Sequence, residues 1–141
     1  MTVHLDLELL LTIIDQAGLP GVRDHGLLES AALRPQTSVF GDDAYPTLDE
    51  QAAALMESIV RNHPLVDGNK RLGWLATVVF YGLNGVPLDA PEDPAYDLVV
   101  AIAEGRIDYH ASARLLASWT TPERPHPIVK QVPLPGPRRA R

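Results

Sequence analysis

Residues 61–71 read Arg61-Asn62-His63-Pro64-Leu65-Val66-Asp67-Gly68-Asn69-Lys70-Arg71. An imidazole, a carboxylate, two side-chain amides and three basic groups fall within this one short stretch. His63 is a general base near neutral pH, worth roughly 10²–10⁴-fold in rate when well placed. Asp67 is a hard oxygen ligand of the kind Mg²⁺ takes. Mg²⁺ uses one or two carboxylates and draws its remaining oxygens from phosphate and water, so a single Asp suffices. Asn69, Lys70 and Arg71 together make an anion cradle. These parts suit phosphoryl or nucleotidyl transfer, where positioning and charge neutralisation supply most of the rate. Each part is also ordinary in a polar connection between helices: an Asp-Gly turn, an Asn cap, surface Lys and Arg. Spacing alone leaves both readings open.

The flanking elements must place these groups. His63 precedes a proline, so its backbone leaves the helical region and the preceding helix ends there. The imidazole then projects from a helix terminus. Leu65 is the apolar pin for the loop, Asp67-Gly68 supplies a tight turn, and Asn69 sits at or near the N-cap of the next helix. Free N–H groups and the positive dipole end then point into the loop. Lys70 and Arg71 in a first helical turn are unfavourable unless an anion is near, a local conflict of the sort found at functional sites.

Apolar periodicity predicts helices elsewhere. Leu7, Leu10, Leu11 and Ile14 share a face, with Asp6 as cap and Gly18 as stop. A second helix runs from Asp24 towards Arg34, stopped by Pro35. Residues 35–46 form a loop with Thr37–Phe40 as a short strand. Thr47 and Glu50 make a capping box for a third helix with Leu48, Ala52, Leu55, Met56, Ile59 and Val60 on one face. The fourth carries Leu72, Leu75, Ala76, Val79, Phe80 and Leu83. Trp74, Val78 and Tyr81 make it apolar nearly all round, so it is expected to be the central buried helix, ending at Gly85. A fifth spans about 94–104 with Ala95, Leu98, Val99 and Ile102 inward. A sixth starts near Asp108 with Ala111, Leu115 and Trp119. The expected fold class is all-α with about six helices.

Composition sets the bounds. The chain has 141 residues, no cysteine and a formal charge of −6. One domain is expected, over residues 1–121, with no disulfide and no thiolate-bound metal. No apolar run reaches the roughly 18 residues of a membrane span. The acidic start does not resemble a signal peptide, so a cytoplasmic protein is expected. The charge is unevenly placed. Residues 122–141 hold five basic groups, one acidic group and six of the 13 prolines; the remainder holds seven basic and 17 acidic groups. The basic, proline-rich tail reads as an extended or disordered arm. The acidic remainder argues against nucleic-acid binding except through that arm. His4, His25, His110 and His126 have no metal-ligand spacing.

His63-Pro64-Leu65-Val66-Asp67-Gly68-Asn69-Lys70-Arg71 resembles the signature of the Fic/Doc family, H-x-F-x-[DE]-x-N-x-R, with Leu65 where Phe is usual. Arg23-Asp24-His25-Gly26-Leu27-Leu28-Glu29-Ser30-Ala31, Arg34-Pro35-Gln36 and Phe80-Tyr81-Gly82-Leu83-Asn84-Gly85 are similar to segments of its Doc (death-on-curing) branch. The resemblance implies a Fic-fold helical bundle with a short flap loop or hairpin before the motif helices. It implies transfer from ATP or another nucleotide triphosphate, with Mg²⁺, to a protein hydroxyl. His63 is then the base, Asp67 the metal ligand, and Gly68, Asn69, Lys70 and Arg71 the phosphate-binding residues, with Arg61 assisting. Ser38, Val39 and Phe40 fall in the flap that holds the target by backbone pairing.

Two departures bear on the reaction. AMP-transferring members read G-N-G-R-x-x-R; this chain has Lys70 in place of the second Gly and Trp74 in place of the second Arg. A lysine fills the space the backbone needs to close around inner phosphates and places a point charge suited to outer ones. Both changes favour γ-phosphate transfer, as in Doc, over AMPylation. Leu65 leaves a non-catalytic binding module as a further alternative. The family's inhibitory [ST]-x-x-x-E-[GN] segment has no match, since Val100-Ala101-Ile102-Ala103-Glu104-Gly105 lacks the Ser or Thr. The resemblance therefore implies a toxin held in check by a cognate, Phd-like antitoxin, with elongation factor Tu as target.

Overall fold

A computed structural model describes residues 1–120 of the chain. The expectation of a disordered arm over 122–141 lies outside the described residues. The elements in order are α1 (Leu7–Gln16), α2 (His25–Leu33), a 3₁₀ turn (Arg34–Gln36), β1 (Ser38–Val39), β2 (Asp42–Asp43), α3 (Leu48–Asn62), α4 (Asn69–Leu83), α5 (Glu92–Ala103) and α6 (Tyr109–Ser118). The all-α class, the six helices and the hairpin ahead of the motif helices are as expected.

Short polar side chains set the helix starts. Asp6 accepts from the N–H of Leu9 at 2.8 Å, and Asp24 from that of Leu27 at 3.0 Å. Asp108 accepts from the N–H of Ala111 at 3.1 Å. Thr47 and Glu50 form the reciprocal capping box. Positive-φ glycines follow α1, α4 and α5 at Gly18, Gly85 and Gly105.

The central helix is α3, not α4. Every residue from Gln51 to Val60 is buried, and α3 packs against α2, α4, α5, α6 and the 3₁₀ turn. Its buried polar residues Gln51, Glu57 and Ser58 each meet another polar group. Glu57 pairs with Arg34 at 3.0 Å and Arg61 at 3.4 Å. Ser58 Oγ accepts from Arg34, and the Gln51 amide donates to the Tyr45 carbonyl. Helix α4 buries Leu72, Trp74, Phe80 and Tyr81 but leaves Leu83 exposed. In α6 the inward leucine is Leu116, and Leu115 is exposed. Helices α3 and α4 cross closely at Gly73, where an added Cβ would lie 2.5 Å from Val60 Cγ2.

The hairpin is minimal. Ser38 pairs with Asp43 and Val39 with Asp42, antiparallel, around a two-residue turn. Both turn residues, Phe40 (φ 52°) and Gly41 (φ 84°), have positive φ, as a type I′ turn requires. The Phe40 side chain is fully exposed.

Candidate active site

The motif loop lies where α3 ends and α4 begins, and it is pinned from outside. The carbonyl of Pro64 accepts from the N–H groups of Arg23 at 2.7 Å and Asp24 at 3.0 Å. The N–H of Val66 donates to Gly21 O at 3.1 Å, and Val22 and Leu65 form an antiparallel bridge. Leu65 is buried, as expected of the pin. The smaller side chain thus still anchors the loop, so the step from Phe to Leu leaves this function intact.

His63 closes α3 in the left-handed region, at φ 54° and ψ 59°. That conformation is uncommon for a residue with a Cβ and is held only where the surroundings over-determine it. The ring is exposed. It faces Asn69, whose Nδ2 lies 3.4 Å from His63 Nδ1.

Asn69 does not cap α4. The N-cap is Gly68, at φ 87°, and Asn69 is the first helical residue. Its amide turns back into the loop. Oδ1 accepts from the N–H of Leu65 at 2.9 Å, and Nδ2 donates to the carbonyl of Leu65 at 3.1 Å. The Leu65 bonds set the amide's orientation, so the amide presents an N–H, not an acceptor, to the imidazole. Asn69 therefore clamps the loop and touches the imidazole at once. An Ala at position 68 would be strained by its φ and would meet Leu19 Cδ2 at 3.3 Å.

No side chain caps α4. The leading N–H groups of Asn69, Lys70 and Arg71 are thus left for another acceptor. Helix α5 also lacks a side-chain cap, but it opens with Glu92 and Asp93, the charges a helix start favours. Helix α4 opens with Lys70 and Arg71, both exposed and neither in an ion pair among the described residues. Asp67 is exposed; one carboxylate oxygen accepts from the N–H of Gly68 at 2.8 Å, leaving the other for a cation. Among the described residues no three His, Cys, Asp or Glu cluster as a metal cage. One carboxylate beside an uncapped helix start that carries Lys70 and Arg71 fits Mg²⁺ brought in with a nucleotide.

Arg61 does not face the loop with free donors. Its Nε donates to Ile102 O at 3.0 Å, its Nη2 to Ile107 O, and its Nη1 lies by Glu57. In this arrangement it ties α3 to the end of α5. Trp74 is buried in the core, so no second cation stands one turn along α4. Arg23 is the residue that sequence reasoning left without a role. Its Nε donates to His63 O at 2.8 Å and its Nη2 to Asn62 O at 3.1 Å. No local pattern joins residues forty positions apart, so only the fold reveals it.

An open cavity of about 550 Å³ lies between α2, the hairpin root and the C-terminal half of α3, lined in part by Ser30, Arg34, Thr37, Ser58 and Asn62. Thr37 immediately precedes β1 and Asn62 immediately precedes His63. The cavity therefore connects the hairpin to the motif loop.

The sequence profile of the Fic/DOC family matches residues 4–81, which include the hairpin, α3, the loop and α4 as far as Tyr81. Over 123 residues the chain is 47% identical to the toxin Doc of Mycolicibacterium smegmatis, a match spanning 84% of this chain and 95% of that protein. An imidazole at the end of α3, an uncapped cationic start to α4 and similarity over both helices lead to one conclusion: the chain belongs to the Fic/DOC family.

Proposed function

We propose that the protein is a Doc-type toxin that transfers the γ-phosphate of ATP, or another nucleotide triphosphate, to a protein hydroxyl. The observation that carries this reading is the start of α4. Three leading N–H groups without a capping side chain, and two cations unpaired among the described residues, stand beside an exposed imidazole. Similarity to a Doc toxin supports the choice of branch. Lys70 supports the choice of phosphate, since its ammonium stands where AMP-transferring relatives keep an open glycine.

Each residue has a defined task. The N–H groups of α4 with Lys70 and Arg71 hold the phosphate oxygens. Asp67 would hold Mg²⁺, which would neutralise phosphate charge. His63 accepts the proton of the attacking hydroxyl as the new O–P bond forms and the nucleoside diphosphate leaves. Ser38, Val39 and Phe40 meet the target segment, with the adjoining cavity taking one of its side chains. The activity belongs in the cytoplasm, where nucleotide and a translation factor such as elongation factor Tu are both present. A cognate, Phd-like antitoxin supplies the inhibition that the string Val100–Gly105 lacks.

The test uses two labels. Incubated with a bacterial lysate, the protein transfers label from ATP carrying it at the γ-phosphate and none from ATP carrying it at the α-phosphate. His63→Ala abolishes transfer without changing the melting temperature, because the ring is exposed. Label from the α-position alone would assign AMPylation instead, and no label from either would leave a binding module.

A further inference from the structure

We propose that Arg23 is a positioning residue for His63. Its guanidinium grips the last carbonyls of α3 and thereby fixes the backbone from which the imidazole projects. The inference rests on the reading of His63 as base.

The terminal carbonyls of a helix have no partners of their own. The usual remedy is a glycine in the left-handed region, with following N–H groups donating back. Here the left-handed residue is His63, and the next residue is Pro64, which has no N–H. The local chain therefore cannot close its own helix end in that way. Arg23 supplies two donors from forty residues upstream, at 2.8 Å to His63 O and 3.1 Å to Asn62 O. A cation there also complements the negative end of the helix dipole. Its own N–H donates to Pro64 O, so backbone and side chain of one residue hold three successive carbonyls, those of residues 62, 63 and 64. On its other side the ring has, among the described residues, only the long 3.4 Å contact to Asn69. Arg23 is in no ion pair among the described residues, so these carbonyls are its partners.

The experiment compares the full chain with Arg23→Ala and Arg23→Lys. The alanine variant is expected to lose roughly 10- to 100-fold in kcat, the scale of a misplaced catalytic group. Its KM for ATP should stay within about twofold, since no nucleotide contact is removed. Lysine restores part of the rate, because an ammonium lacks the planar fork that spans two carbonyls. Guanidinium ion, at concentrations far below denaturing, restores part of the rate of the alanine variant only. A raised KM for ATP with unchanged kcat would overturn the proposal and make Arg23 a nucleotide ligand. Equal loss of folding stability in both variants, with no rescue, would make it a plain helix cap. The ¹⁵N-imidazole NMR signals of His63 supply a readout independent of turnover. They should shift and broaden in Arg23→Ala, and unchanged signals sink the inference even if wild-type protein transfers no phosphate. Failure of wild-type transfer with shifted His63 signals would overturn the proposed function and leave the positioning role supported.

Discussion

Phe40 stands at odds with its own turn. Type I′ turns favour Asn-Gly because both residues need positive φ, yet this hairpin has Phe40 at φ 52° with its ring wholly in solvent. On the proposed function, that strained and exposed ring is the part of the hairpin that meets the target. Phe40→Asn should therefore stabilise the fold by roughly 0.5–1 kcal/mol, read by urea denaturation. The same variant should weaken labelling of the protein target while leaving affinity for ATP unchanged. A second residue-scale effect concerns His4, which stacks on Phe80 with ring centroids 5.9 Å apart and buries Nδ1 without a hydrogen-bond partner among the described residues. Burial lowers its pKa, with Asp43 partly opposing. The folded state then binds fewer protons than the unfolded chain at this group. Its contribution is complete above the unfolded value of about 6.5 and is lost as pH falls through the lower folded value. Denaturation midpoints measured from pH 7 to 5 should fall, and His4→Phe, which keeps the stack, should flatten that part of the slope.

At the scale of elements, the site depends on how closely α3 and α4 approach, because His63 ends one and Asn69 begins the other. Gly73 sets that approach. A methyl there would press into Val60 at 2.5 Å, and α3 is packed on several other sides. Gly73→Ala should destabilise by roughly 1–3 kcal/mol through overpacking, although Ala is the better helix former. Adding Val60→Ala should recover part of the loss. Additive losses in the urea-measured double-mutant cycle would show that the two positions are not coupled. The sequence around Gly73 does not reveal this, since nothing local marks which residue meets a neighbouring helix.

Across the molecule, the Arg34–Glu57–Arg61 cluster holds the parts together. Arg34 also donates to the Tyr45 hydroxyl at 2.9 Å and lies over the Tyr45 ring at 5.4 Å, and Tyr45 meets Tyr109 edge-on at 5.0 Å. These contacts join both feet of the hairpin to α3 and α6, while Arg61 ties in the end of α5. Glu57 is the shared buried carboxylate. Glu57→Gln leaves two cations without their charge partner and should cost about 3 kcal/mol, read by thermal or urea denaturation. Loss below about 1 kcal/mol, the range of surface pairs, would show that solvent screens the cluster.

Local chemistry was legible from residue order: the caps at Asp6 and Thr47, the helix starts at Asp24 and near Asp108, the stop at Pro35, and the loop from His63 to Arg71. Their physics acts within a few residues, so the chain states it directly. Contacts between distant residues were not legible. The burial of α3 was hidden because Gln51, Glu57 and Ser58 read as polar, and their partners Tyr45, Arg34 and Arg61 are brought in by the fold. The same holds at the site. Composition named the imidazole, the carboxylate and the cations. Packing turned Asn69 inward as a clamp, sent Arg61 to the carbonyls of Ile102 and Ile107, and brought Arg23 to the end of α3. A hydrogen bond is satisfied by whichever donor lies within reach, and reach across forty residues is set by how helices pack, not by spacing along the chain.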